Sequence, residues 1–314
     1  MHRGDQLGTG SVVITGANGN LGRRLLRSLG AGESVRALVR SEQAAELLRM
    51  LPVNIRPDVW VVDYLDPRDM YAALAGARAV VHLVGIIKEP RLGDYHQAHE
   101  ATCTVLAEAA QAAGLARIVY LSILGADPQS ANRCLASKGA AERILVSSGV
   151  VTRVLRVPMV LGEGDYASAA LANRARRRIS LVLRGASMEQ PIYAGDLIHA
   201  VLATLEIDTL ASGMLDLAGP ESLSRTALTL RAAGVLGRSS RVISVPLLVG
   251  VALAWVLEKL TARPVVTRSM LGVLDHDDAI DCEPAVSTLG IALTSLDDML
   301  ASCLTPSARD QFPT

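Results

Sequence analysis

The sequence predicts an α/β fold: a doubly wound parallel sheet with helices on both faces, followed by a smaller, mostly helical C-terminal lobe. Three observations carry that prediction. Short β-branched runs alternate with helical periods through the first half of the chain. The strand candidates are almost continuously apolar, as strands buried on both faces must be. The first of them feeds a glycine-rich turn that opens a helix.

Taken in order, the strand candidates are 11–15, 34–39, 58–62, 79–84, 117–121 and 151–156. Helix candidates at 20–30, 41–50, 67–75, 98–113 and 135–147 lie between them. Such βα units close with right-handed crossovers and place a ligand at the carboxyl ends of the strands. Beyond residue 160 the pattern loosens. Residues 161–190 carry the turn Gly162-Glu163-Gly164-Asp165 and a basic helix, and Ile192 to Leu205 reads as a short strand and a helix. Met214 to Pro220 reads as another short strand closed by a turn, and 221–314 is mostly helical and apolar. The expected division is 8–160 plus 191–218 as the sheet domain, with 161–190 plus 219–314 as a lobe for substrate or partner.

Composition narrows the function classes. Lys+Arg and Asp+Glu both number 31, so the chain offers nucleic acid no global field. The run Arg174-Ala175-Arg176-Arg177-Arg178 is a local exception. It reads first as a solvated helix face and second as a site for phosphates or anionic lipid. Aromatic residues make up only 3%, so the core must be built from Val, Leu, Ile and Ala. Cys103, Cys134, Cys282 and Cys303 are far apart, which speaks against a disulfide framework or a zinc site and for a reducing, cytoplasmic setting. The segment 1–6 has no apolar h-region, so no signal peptide is expected there. The apolar stretch 245–257 is too short for a standard spanning helix. It reads as a helix over an apolar pocket, with membrane-surface contact as the alternative.

The chemistry starts at Gly16-Ala17-Asn18-Gly19-Asn20-Leu21-Gly22, between the run 11–15 and the helix after it. Glycines at this spacing give a tight turn, room for phosphates and close helix–strand packing, while the helix end presents N–H groups to a pyrophosphate. That context predicts a bound dinucleotide. Arg36 and Arg40 flank the second strand, and no acid stands at its end. An acid there would grip the 2′-hydroxyl of NAD, whereas Arg40 suits the 2′-phosphate, so NADP(H) is expected over NAD(H).

Several ordered motifs carry a resemblance to the short-chain dehydrogenase/reductase superfamily, in its extended or atypical, epimerase/dehydratase-like branch. Thr15 to Gly22 looks like that branch's glycine turn. Val80 to Ile87 resembles its fourth strand and the loop after it, and Arg117 to Ser122 its fifth strand with a terminal serine. Lys138 falls where the family places its active-site lysine, and Arg156 to Gly162 is similar to the segment beside the nicotinamide. The runs around His82–Ile87 and Ser122–Pro128 are most similar to the group of the NAD(P)H-binding accessory subunit of respiratory complex I. The resemblance covers about residues 11–220 and implies a Rossmann-type domain. It also implies cofactor contacts from Gly16, Asn18, Gly19, Asn20, Leu21, Gly22, Asp63, Val84, Gly85, Lys138 and Pro158, with Asp63 near the adenine.

One departure bears on catalysis. The family's general acid is a tyrosine four residues before the lysine, on the same helical face. Here Cys134 stands in that position, and a thiol has a shorter reach than a phenol. Lys138 retains the role of ribose contact. Ser122 reads either as a carbonyl-polarising group or as a satisfied strand end. Tyr95, Tyr166 and Tyr193 are candidate replacement acids, Tyr166 foremost, so that Lys138, Ser122 and Tyr166 form the expected catalytic set. His82 reads as a satisfied core residue, and His96 and His99, without supporting acids, as no metal pair.

Two functions remain open on the sequence. One is an oxidoreductase in which NADPH reduces an apolar carbonyl, enone or quinone-like substrate. The other is a non-catalytic NADP(H)-binding assembly or redox-sensing protein, with contacts to a membrane surface or complex through 174–178 and 245–257. A sugar-nucleotide epimerase or dehydratase stands behind both, because those reactions also need the tyrosine.

Overall fold

The computed structural model describes residues 10–305 except 30–31, 53–54, 88, 90–92, 208, 210, 261–270 and 273–276, and describes no side chains at 253 and 256–260. The segment 1–6, read above for a signal peptide, lies outside the described residues.

Seven strands form one sheet: β1 (Ser11–Thr15), β2 (Val35–Val39), β3 (Asp58–Val61), β4 (Ala77–His82), β5 (Arg117–Ile123), β6 (Val151–Val157) and β11 (Gly213–Asp216). Their order is β11-β6-β5-β4-β1-β2-β3, and every pairing is parallel. The order turns at β1, whose neighbours are β2 and β4. That is the switch point where crossovers diverge and leave a crevice.

Strand alternation sorts the aliphatic residues onto two faces. Val12 and Ile14 join one buried cluster with Leu25 and Leu48, while Val13 joins the other with Met70 and Leu106. The first face is covered by α1 (Asn20–Leu29), α2 (Glu42–Arg49) and α7 (Ala194–Glu206). The second is covered by α3 (Pro67–Leu74), α4 (Thr102–Ala112) and α5 (Arg133–Val146). A third cluster, containing Leu161, Leu171, Leu228 and Met299, is built by α6 (Tyr166–Ala175), α8 (Arg225–Val235) and the helix Leu296–Leu304.

Local chemistry moves three boundaries from their expected places. β4 stops at His82 because the Leu83 N–H leaves the ladder and donates to the Thr15 hydroxyl at 3.2 Å. α5 starts at Arg133 because the Asn132 side chain caps the N–H groups of Cys134 and Leu135 at 2.9 and 3.3 Å. The helix expected from 98 begins as a π-helical segment, His96–Ala101, that runs into α4. Smaller pairings complete the fold: β7 (Val160–Leu161) with β10 (Ile192–Tyr193), β9 (Met188–Glu189) with β12 (Leu223–Ser224), and β8 (Ile179–Leu183) with β13 (Arg241–Val245). Among the described residues no helix is long and apolar enough to cross a membrane.

Candidate functional site

Geometry at the glycine turn leaves little choice of residue. Gly16 has φ +64, a left-handed value that glycine adopts without strain. A Cβ on Gly22 would stand 2.6–2.7 Å from the backbone of Ala17 and Gly16, so α1 can pack this close only with glycine there. The first-turn N–H groups of Asn20, Leu21 and Gly22 have no acceptor within α1 and face the crevice end of the sheet. These features fit a dinucleotide pyrophosphate, the group such a turn cradles.

Tyr64 secures the turn from below. Its hydroxyl accepts from the Gly16 N–H at 2.9 Å and donates to the Leu38 carbonyl at 2.7 Å, tying β1 to β2. Burial pushes its pKa up to about 12, so it stays a neutral donor. Sequence reasoning missed Tyr64. Its signal was an aromatic residue immediately after Asp63, three residues beyond the end of β3.

Lys138 is the centre of the second half of the site. It lies one helical turn after Cys134 on α5, and both line a cavity of about 460 Å³ at the carboxyl ends of the central strands. Leu21, Gly85, Ser122 and Pro158 line the same cavity, and Glu189 and Arg225 line it from beyond the sheet. The Lys138 ammonium donates to the Tyr120 hydroxyl at 3.0 Å and the Leu121 carbonyl at 3.1 Å. Burial lowers its pKa from the ordinary lysine value. A Cβ on Gly85 would lie 2.9 Å from Nζ, so the loop after β4 closes directly over the lysine.

Ser122 shares a strand face with Tyr120, two residues earlier on β5. Its hydroxyl is buried and has no partner among the described residues. An orphaned donor in a cavity wall is costly unless something else binds it. Cys134 is fully buried, its Sγ 3.8 Å from the Ile86 carbonyl, and burial raises its pKa so that it remains a thiol.

The tyrosines depart from expectation. Tyr166 is 82% exposed at the start of α6 and is not among the residues lining the cavity, because α6 turns Ala167 inward instead. Tyr193 donates to Glu163 at 2.5 Å, and Glu163 is also paired with Arg24 at 2.7 Å. Tyr95 donates to the Ile87 carbonyl at 2.6 Å. The last two serve loop geometry.

Of the remaining candidates, the structure keeps Asn18, Asp63 and Arg40 exposed around the turn. Asp63 accepts from the Leu65 N–H at 2.9 Å, and Asn20 accepts from Arg24 at 3.1 Å. Val84 lies beside Gly16, within 3.5 Å of where its Cβ would be. Arg40 has no hydrogen bond or ion pair among the described residues, whereas Arg36 is occupied by Asp58, the Trp60 ring and the Ala73 and Ala75 carbonyls.

Two histidines sit beneath the lysine. His82 Nδ1 is 2.8 Å from the Thr15 hydroxyl, so it is bonded on one nitrogen while Nε2 has no partner. His99 Nε2 meets the Ile86 backbone at 3.0–3.1 Å, and His96 points to solvent, so the two do not converge. Burial and the Lys138 charge lower both buried rings to about 3, keeping them neutral.

The chain's relatives fit this geometry. A family described as NAD(P)H-binding matches over residues 16–177. The chain is 31% identical to a ceramide reductase of Caulobacter vibrioides, across 76% of this chain and 74% of that one. It is 28% identical to the NADH dehydrogenase [ubiquinone] 1 alpha subcomplex subunit 9 of Arabidopsis thaliana, across 67% of this chain but only 54% of that protein. The fold is shared with an NADPH-dependent quinone oxidoreductase from Escherichia coli solved with NADPH. That match has a TM-score of 0.73 at 20% identity, covering 92% of this chain and 98% of the other.

Proposed function

The chain belongs to the NAD(P)H-binding family as an atypical short-chain dehydrogenase/reductase, and we propose that it uses NADP(H) to reduce the carbonyl of an apolar, lipid-like substrate. One observation carries the reading: the buried, unpartnered Ser122 hydroxyl and the Lys138 ammonium line one largely apolar cavity beneath the glycine turn. The ceramide reductase relative supports a long-chain substrate class. The assignment gives the cofactor to 8–160 plus 191–218 and the substrate to 161–190 plus 219–314.

Gly16, Gly19 and Gly22 with the first-turn amides would hold the pyrophosphate, Lys138 the ribose, and Arg40 a 2′-phosphate. Asn18, Asp63, Val84, Gly85 and Pro158 would complete the cradle. The bound nicotinamide supplies the hydride. Ser122 donates a hydrogen bond to the substrate carbonyl, and that bond strengthens as negative charge grows on the oxygen. Lys138 lines the same cavity and, with its pKa lowered by burial, is a stronger acid than an ordinary lysine; it is the proton donor of this scheme. No tyrosine is needed in this scheme. A cytoplasmic location belongs to the same proposal, supported by four cysteines that form no disulfide.

Cys134 favours a second reading, a non-catalytic NADP(H)-binding protein of an assembly, because a buried thiol is a poor substitute for the family's phenol. The deciding experiment follows NADPH oxidation with long-chain ketones, aldehydes, enones and quinones. The reductase reading expects turnover with a long-chain ketone and, in Ser122→Ala, a loss of about 100-fold or more in kcat with NADPH affinity unchanged. Tight NADPH binding with no oxidation by any acceptor would leave the second reading standing.

A further inference from the structure

Away from the cavity, β8 and β13 form a two-stranded ribbon in which Leu181 faces Ile243 and Ile179 faces Arg241. Alternation turns Ser180 and Val182 inward, where they are buried, and Ile179, Leu181 and Leu183 outward. A solvated ribbon face is normally polar. Here Leu181 is 65% exposed, with Ile179 and Ile243 exposed beside it.

α9 (Leu247–Leu260) extends this apolar face. A Cβ on Gly250 would lie 2.8 Å from Leu183 Cδ2, so the helix meets the ribbon at its Leu183 end. Gly250 and the buried Ala254, four apart, form its inner stripe, while Leu248 (81% exposed), Val249 and Trp255 look outward. The ribbon and the helix that joins it at Leu183 both expose large apolar side chains, as interaction sites do.

Charge gives the surface a direction. Arg177, Arg178, Arg238 and Arg241 are exposed at its ribbon end, and the Arg241 N–H donates to the Arg178 carbonyl at 2.9 Å. None of the four forms an ion pair among the described residues. Neither 166–188 nor 222–257 contains an Asp or Glu. A dimer formed through the ribbon and the first eleven residues of α9 would therefore bring the arginines no carboxylate; the one acid of α9, Glu258, stands near its end.

We propose that this face docks on the surface of an anionic lipid bilayer, with the ribbon and α9 aliphatics at the acyl boundary and the four arginines on lipid phosphates. An apolar face with a basic edge is the pattern of interfacial binding, and each arginine near an anionic surface adds to it. The docking face adjoins the cavity, because Arg225 lines the cavity and donates to the Leu183 carbonyl at 3.3 Å. The inference stands whether or not the cavity is that of a reductase.

The test is flotation of the full chain with vesicles of phosphatidylcholine alone or mixed with phosphatidylglycerol. Binding to the mixed vesicles is expected, weakened by salt and falling about fivefold for each of Arg177→Ala and Arg178→Ala. Leu181→Ser and Leu248→Ser should remove the salt-resistant part. In a Trp60→Phe background, Trp255 emission should shift to the blue on binding. Melting temperature and NADPH affinity show whether each variant is folded, and these residues touch neither the turn nor the cavity. Equal partition into both vesicle types, or binding that none of the variants changes, would overturn the proposal. So would a stable dimer that Leu181→Ser dissolves, or capture of a protein partner on this face with vesicles inert.

Discussion

The Lys138 ammonium stands 3.0 Å from the Tyr120 hydroxyl and 4.7 Å from the centre of its ring. A side chain of strand β5 thus fixes the lysine of helix α5. The hydroxyl accepts and the ring face attracts the cation, both in a buried setting where such contacts are strong. Tyr120 is itself pushed well above the usual phenol range by burial, so it stays protonated beside the lysine.

Tyr120→Phe keeps the ring and removes the acceptor. A hydrogen bond to a buried charge is worth about 1.5–3 kcal/mol, so urea unfolding should show a loss of that order. Lys138→Met removes the buried charge as well. Its stability should stay within about 1 kcal/mol of the parent or rise, while NADPH affinity, measured by fluorescence titration, falls. Unchanged affinity would mean that Lys138 only packs.

Gly22→Ala places a methyl group against the Ala17 and Gly16 backbone. Either α1 moves or the turn opens, and both displace the first-turn amides. Titration should show dinucleotide affinity weakened at least about tenfold, the equivalent of 1.4 kcal/mol, for NADPH and NADH alike.

Arg40→Ala separates the two dinucleotides. Loss of a charge-assisted contact to the 2′-phosphate corresponds to about 1.5–3 kcal/mol, or roughly 10- to 150-fold in the NADPH dissociation constant, with NADH affinity unchanged. An equal loss for both would remove the basis of the NADP(H) assignment.

Acid should destabilise the fold early. His82 and His99 titrate near 3 when folded and near 6.5 when unfolded, so below pH 6.5 the unfolded chain binds more protons. Their contribution is complete above pH 6.5 and is lost as the pH falls toward 3, at up to about 1.4 kcal/mol per pH unit for each histidine. Urea unfolding between about pH 7 and pH 5 should show this slope, and His82→Gln should cut it to about half.

The sequence by itself determined the sheet, the turn and the family. Periods of two and 3.6, apolar strands and spaced glycines are local signals, and six strands and a ligand place at their carboxyl ends followed from them. The strand order and its turn at β1 came from the tertiary structure. It also marked Cys134 and Lys138 as neighbours on one helical face, since a spacing of four residues is a property of any helix. Only the tertiary structure decided which groups meet from distant segments. Tyr166 looked suited to replace the missing acid by its place after a turn, yet α6 turns it to solvent. Tyr64 and Tyr120 drew no notice, yet they hold Gly16 and Lys138. The basic run split in the same way: Arg176 reaches the Leu304 carbonyl, while Arg177 and Arg178 join Arg238 and Arg241 across the ribbon. Hydrogen bonds and burial depend on where two segments lie in space, and a chain's local periodicity does not encode that.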